Sequence, residues 1–153
     1  MSPEFSIKTI GGGSLGQERD ESCLLEKHLI TPTKKKLTPN QLSTGLFAWK
    51  VVKHTKSNAI VVAKNNKIIS ISGGQTSRVD ATKIAFEKTK IPKGCIVASD
   101  AFFPFKDSIE KMAQYNIAAI IQPGGSIRDK EVVESCNKNK IAMAFTGFRV
   151  FKH

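Results

Sequence analysis

The sequence predicts an α/β protein: a three-layer arrangement with a mixed sheet and helices on both faces. Three observations lead there. Two β-rich runs, Asn58–Lys64 and Lys67–Ser72, are joined only by Asn65-Asn66, and asparagine tolerates the positive φ that a tight antiparallel hairpin needs. After them, helical patterns and short apolar runs alternate to the end of the sequence, which places helices on both sides of a sheet. The runs Cys95–Ser99, Ile117–Ile121 and Ile141–Phe145 are almost wholly apolar, as strands covered on both faces must be.

Taken in order, residues 1–38 read as an extended N-terminal arm, with Met1-Ser2-Pro3 as an artificial start. Glu4 to Ile10 alternates as a strand does, and Gly11-Gly12-Gly13 breaks it. Lys34-Lys35-Lys36 lies between Pro32 and Pro39 in a linker. The α/β unit then occupies 39–153. Its first helix starts at Thr38, with Pro39 at the first helical position and Gln41 completing a capping box. Leu42, Leu46 and Trp49 share one face with Phe47 beside them, and the helix ends near His54. Beyond the hairpin the patterns predict helix 77–90 capped by Ser77, strand 95–99, helix 106–116, strand 117–121, helix 128–139, strand 141–145 and a short piece at 149–151.

The 153 residues suit a single domain. Apolar residues make up 40% and charged residues 24%, a globular balance. No apolar run nears the roughly 20 residues of a bilayer span, and MSPEFSIKTIGGG lacks the basic and apolar regions of a secretory signal. Three widely spaced cysteines, Cys23, Cys95 and Cys136, show neither zinc spacing nor a C-x-x-C pair, which fits reduced thiols in cytoplasm. The net charge is +11, carried by twenty lysines and only four arginines, Arg19, Arg78, Arg128 and Arg149. A polyanion-binding surface and a solvated lysine surface both fit it. No aromatic residue interleaves with the lysine triplet, so a stacking platform for single strands is missing.

In such a sheet, ligands bind where parallel strands end and loops lead into helices. Four segments fall there: Gly73–Asp80, Ser99–Asp107, Gln122–Asp129 and Thr146–Arg149. Two are glycine loops with a hydroxyl and an arginine at a helix start. They suit an anion, or are ordinary capped turns with Ser77 and Ser126 as caps. Neither matches a phosphate-loop or dinucleotide fingerprint. Phe102-Phe103-Pro104-Phe105 is either a core plug or a wall for a flat ring. Asp100 and Asp107 flank it, as ligand groups or helix caps. Lys53-His54 could pair a base with a cation, or place charge on a helix C-terminus. His28 and His153 lie in segments expected to be flexible.

Together these blocks carry a family resemblance. WKVVKHTKSNAIVVAKNNKIISISGGQTSRVDATKIA, IVASDAFFPFKDSIEKMAQYNIAAIIQPGGSIRDKEVV and the terminal IAMAFTGFRVFKH resemble the C-terminal part of the bifunctional purine biosynthesis family, which joins AICAR transformylase to IMP cyclohydrolase. The likeness spans about residues 44–153, and more weakly 4–20 (EFSIKTIGGGSLGQERD). It implies the second of two cytidine-deaminase-like units, with the rest of the enzyme having no counterpart here. Zinc is not expected, because the H-x-E and P-C-x-x-C ligand sets of zinc deaminases are missing from the sequence.

The implied reaction moves a formyl group from 10-formyltetrahydrofolate to the amine of AICAR. The family's catalytic Lys-His pair belongs to the half without counterpart. Lys53-His54 is only its equivalent in the second unit, so no catalytic residue is expected here. The resemblance implies AICAR contacts at Asn58, Arg78, Phe102 and Arg149, and folate contacts at Val79, Asp107, Ser126 and Ile127. It implies a potassium ion at Asp100 and Thr55, although Lys152 replaces a histidine seen in relatives. It further implies a cytoplasmic homodimer in the full-length enzyme, without nucleic-acid or membrane partners, and a piece inactive alone. Two other readings of the residues are a basic nucleic-acid-binding module and a hydrolase using Lys53, His54 and Asp107.

Overall fold

A computed structural model describes residues 5–18 and 23–152. Met1, Arg19 and His153 lie outside the described residues. The chain begins with a hairpin of β1 (Phe5–Ile10) and β2 (Gly13–Glu18). The glycine triplet does more than break a strand: Gly12 has a φ of 84° and turns the chain back on itself. A 3-10 turn at Glu26–His28 follows. The remaining elements are α1 (Pro39–Lys53), β3 (Ile60–Lys64), β4 (Lys67–Ser72), α2 (Arg78–Glu87), β5 (Ile96–Ser99), α3 (Asp107–Ala113), β6 (Ala119–Gln122), α4 (Asp129–Lys138) and β7 (Ala142–Phe145).

The main sheet has the order β4-β3-β5-β6-β7. β3 runs antiparallel to both β4 and β5, while β5, β6 and β7 are parallel. The sheet is therefore mixed, and the architecture is α/β with four helices. Asn65 and Asn66 both take positive φ, 49° and 54°, which closes the β3–β4 hairpin in two residues. Thr38 and Gln41 form the reciprocal capping box at α1.

Strand residues alternate between two cores. Ile60, Val62, Val97, Ile120 and Met143 face α2, α3 and α4, meeting Ala85, Phe86, Ile109, Met112, Val132 and Cys136. Val61, Ala63, Ile96, Ala98, Ile121 and Ala144 face the other way, onto Ala48, Trp49 and Val52 of α1. Helices thus cover both faces. The α1 side of the sheet is rich in alanine, so α1 sits close: a Cβ at Gly45 would lie 2.6 Å from Ile121 Cδ1.

Three helices are shorter than their patterns predict. Asn116 and Lys140 adopt left-handed backbone (φ 54° and 56°) just before β6 and β7, and this ends the preceding helical segment so that the chain can enter the sheet. The short piece at 149–151 is not a strand. The outer side of β7 is already taken: Ile30 and Phe145 exchange both backbone hydrogen bonds, at 3.0 and 2.7 Å. The Thr33 hydroxyl also accepts the Met143 amide at 2.9 Å. Residues 30–35 therefore lie along this edge and cover it.

Many lysines serve backbone carbonyls. Lys64 donates to Lys93 O at 2.7 Å, Lys35 to Lys140 O at 2.8 Å, Lys36 to Thr31 O and Lys88 to Ile71 O, each at 2.9 Å. Among the described residues, no helix is long and apolar enough to cross a membrane.

Candidate functional site

Strand directions bring the loops to one edge. Ile60, which starts β3, pairs with Ser72, which ends β4, and with Ser99, which ends β5. Gln122 pairs with Phe145 at the ends of β6 and β7. Loops 55–59, 73–77, 100–106, 123–128 and 146–152 consequently share this edge.

Asp100 is at its centre and fully buried. Its Oδ1 accepts the Ala59 amide at 3.0 Å and a charge-assisted bond from Arg78 Nη1, and its Oδ2 accepts the Ser57 hydroxyl. Arg78 Nη1 also donates to Ala59 O, and Nη2 to Asn58 Oδ1, both at 2.9 Å. Asn58 in turn donates from Nδ2 to Gln75 O at 2.9 Å. Burial pulls the Arg78 guanidinium below its ordinary value, while the charge of Asp100 and its hydrogen bond push it back up. The Nε of Arg78 is buried without a partner.

The C-terminal segment closes over this cluster. Val150 N donates to Asp100 O at 3.1 Å, Ser57 N to Lys152 O at 2.8 Å, and Lys152 N to Ser57 Oγ at 3.0 Å. This strap carries Arg149, whose guanidinium lies 4.9 Å from the centre of the Phe102 ring and 5.9 Å from that of Phe151. The four residues Asn58, Arg78, Phe102 and Arg149 thus form two pairs, joined through Asp100. Arg78 points inward, and Arg149 is exposed over an aromatic face.

Only the first glycine loop is the capped turn expected: Ser77 caps α2, whereas the N-cap of α4 is Arg128, which makes no side-chain cap bond, and Ser126 does not cap that helix. Ser77 Oγ accepts the Asp80 amide at 3.0 Å. In the second loop, Asp129 Oδ2 accepts the Gly125 and Ser126 amides at 2.7 and 3.2 Å, and Ser126 Oγ accepts the Arg128 amide at 3.1 Å. The protein's own carboxylate thereby fills the anion position of that loop. In the Phe102–Phe105 run, Phe103 is a core plug, wholly buried, and Phe105 is exposed beneath Arg128 at 4.7 Å. The other flanking acid, Asp107, is the first residue of α3.

Two hollows lie elsewhere. One of about 610 Å³ runs along α1 past Leu37, Leu42 and Leu46, and one of about 330 Å³ lies between α2 and α3. Neither is lined by the four clustered residues.

A family model described as the AICARFT/IMPCHase bienzyme matches residues 1–88. The chain belongs to that family. The bifunctional purine biosynthesis protein PurH of Aquifex aeolicus is 53% identical over 153 residues, covering 97% of this chain and 30% of that protein. PurH of Caldicellulosiruptor bescii is 50% identical over 150 residues, and PurH of Petrotoga mobilis 51% over 149, each across 97% of this chain and 29% of the relative. The chain thus spans about 30% of the length of these relatives.

With the family in hand, the remaining expected residues can be located. Val79 follows Arg78 on α2 and is exposed, and Ile127 projects fully into solvent beside half-buried Ser126. Thr55 donates its hydroxyl to Val51 O at 2.9 Å. The potassium expected at Asp100 and Thr55 would find hard oxygen donors of the right chemistry in their carboxylate and hydroxyl, and the Ser57 hydroxyl on Asp100 Oδ2 is another. Asp100 Oδ1 is committed to Arg78. Among the described residues no group of three or more His, Cys, Asp or Glu could hold a metal ion. His54 is exposed at the end of α1. Sequence reasoning did not single out Ser57, Gln75 or Gln122. Only Gln122 left a signal, as the polar end of the apolar run AIIQ before Pro-Gly-Gly.

Proposed function

We propose that this chain is the C-terminal, substrate-binding half of an AICAR transformylase, from a protein that also carries IMP cyclohydrolase activity. The observation that carries the reading is the placement of Arg149 over Phe102, on a strap fastened to the buried Asp100–Arg78–Asn58 cluster. A nucleotide with a flat base and an anionic phosphate needs an aromatic face with a cation beside it. The unit is a cytidine-deaminase-like α/β domain without zinc, and 1–38 is its arm.

In the reaction, the AICAR amine nitrogen bonds to the formyl carbon of 10-formyltetrahydrofolate. The bond from that carbon to N10 of the folate breaks, the amine loses a proton and N10 gains one. The amine is a weak nucleophile, so a base and stabilisation of the developing oxyanion are required. This chain positions the reactants: Asn58, Arg78, Phe102 and Arg149 hold AICAR. Val79, Asp107, Ser126 and Ile127 meet the folate. The proton-moving pair belongs to the other half. A bound potassium ion would take Asp100 Oδ2 with Thr55 and Ser57, supplying a fixed positive charge under the strap. The working enzyme is a cytoplasmic homodimer.

The test is calorimetric titration of AICAR into this chain, with and without a 10-formylfolate analogue. Binding that is lost in Arg149→Ala is expected. Formyl transfer by this chain alone would overturn the assignment of proton transfer to the other half, and failure to bind AICAR would sink the reading.

A further inference from the structure

We infer that Gln122 is a positioning residue that sets the Phe102–Arg149 pair by holding both of the loops that carry it. The inference rests on the AICAR reading for its consequence, not for its geometry.

Gln122 ends β6 and is fully buried, on the same side of the sheet as Ile120. An aliphatic side chain would pack there without the desolvation cost of a primary amide. What the amide provides is an acceptor. Oε1 takes the Phe103 N–H at 2.8 Å, inside the loop that leads to α3. The backbone carbonyl of the same residue takes the Thr146 N–H at 2.9 Å, at the start of the C-terminal strap. Nε2 rests on the Met143 sulfur at 3.3 Å, a weak acceptor, so the carbonyl end makes the stronger bond.

Each bond fixes one member of the pair. Phe103 is anchored as a plug, and its neighbour Phe102 stays half-buried at the surface. On the strap, Gly147 N donates to Pro123 O at 3.0 Å and Thr146 Oγ1 to Phe148 O at 3.0 Å, which continues the turn up to Arg149. The guanidinium reaches the Phe102 ring because both loops are referred to one residue of β6.

The experiment compares the wild-type chain with Gln122→Met, which keeps the volume and removes the acceptor, and Gln122→Glu, which in its protonated form keeps it. Three quantities are read: exchange of the Phe103 amide, the ring-current shift of the Arg149 side-chain protons, and AICAR affinity. Slow exchange of the Phe103 amide is expected in the wild type, and fast exchange there would refute the hydrogen bond without any variant. Gln122→Met should speed that exchange at least tenfold while the Val97 and Ile120 amides stay protected. It should also abolish the ring-current shift and weaken AICAR about tenfold, because the Phe102–Arg149 pair would no longer be preset for the ligand. Gln122→Glu should restore most of each. An unchanged ring-current shift in a folded Gln122→Met overturns the inference. A wild-type chain that shows the shift but does not bind AICAR instead removes the functional reading and leaves the positioning role standing.

Discussion

Arg78 opens helix α2, yet its guanidinium turns inward onto the fully buried carboxylate of Asp100 instead of outward to solvent. The helix start is served by Ser77, which leaves Arg78 to tie loop 57–59 to the end of β5. Breaking such a pair strands one charge in the interior, a cost of about 3–5 kcal/mol. Asp100→Asn should lower unfolding stability by that amount in urea titrations. Combining it with Arg78→Met should recover part of the loss, because the stranded cation is gone. A loss below about 1 kcal/mol, the range of exposed pairs, would mean that the pair is solvated.

Arg149 presents the opposite case. It is exposed and stacked on Phe102 and Phe151, so Arg149→Ala should change stability by no more than about 0.5 kcal/mol. Its effect should fall on AICAR affinity, with a loss of tenfold or more. Arg149→Lys should rescue little, since an ammonium lacks the planar stacking face. Paired melting and titration measurements separate the two effects, and a large drop in melting temperature with intact binding would contradict the assignment.

The parts that were legible in the sequence are those that local chemistry decides. Thr38, Pro39 and Gln41 announced α1, the two asparagines announced the hairpin, and the unbroken apolar runs announced β5, β6 and β7. The Asp100–Arg78 pair was not legible, because no local pattern links residues so far apart in sequence: Asp100 meets Ser57 across 43 positions and Arg78 across 22. The β2 strand was missed because its glycines dilute the alternation, as in Gly13-Ser14-Leu15-Gly16. The covering of β7 by Ile30 was missed because a single bridge has no period to detect.

Gly45 tests how closely α1 is set on the sheet. A methyl group there would lie 2.6 Å from Ile121 Cδ1, 2.9 Å from Ile121 Cγ1 and 3.7 Å from Ile96 Cγ2. Replacing glycine by alanine inside a helix usually gains about 1 kcal/mol, whereas overpacking costs about 1–3 kcal/mol. The clash involves a side-chain tip within a filled core, so the cost should win and Gly45→Ala should be destabilised. The second substitution Ile121→Val removes Cδ1 but keeps a carbon at the Cγ1 position, so it should relieve the clash in part. Denaturant midpoints of the two single variants and the double variant check this, and a stabilised Gly45→Ala would show that α1 can move outward freely.

The cysteines provide a test of the core that includes its sign. Cys23 is exposed, whereas Cys95 and Cys136 are buried. Burial raises the Cys136 thiol from 9.0 to about 12, and raises Cys95 to a degree that the charge of Lys64 partly offsets. In the native chain a thiol reagent at pH 8 should therefore modify Cys23 quickly and the other two only on unfolding. The same shift carries a pH dependence. Below pH 9 the Cys136 thiol is protonated in both states and adds no slope. Between 9 and about 12 the unfolded thiol gives up its proton while the folded one keeps it, so the native state binds more protons and stability falls as pH rises. Lysines titrate in the same range, so the comparison is with Cys136→Ala, measured by urea unfolding at pH 8, 9 and 10.5 or so. The variant should start less stable, from the lost packing, and lose less between the first and last of these values than the wild type does. Parallel curves for the two proteins would mean that Cys136 ionises as freely in the fold as outside it.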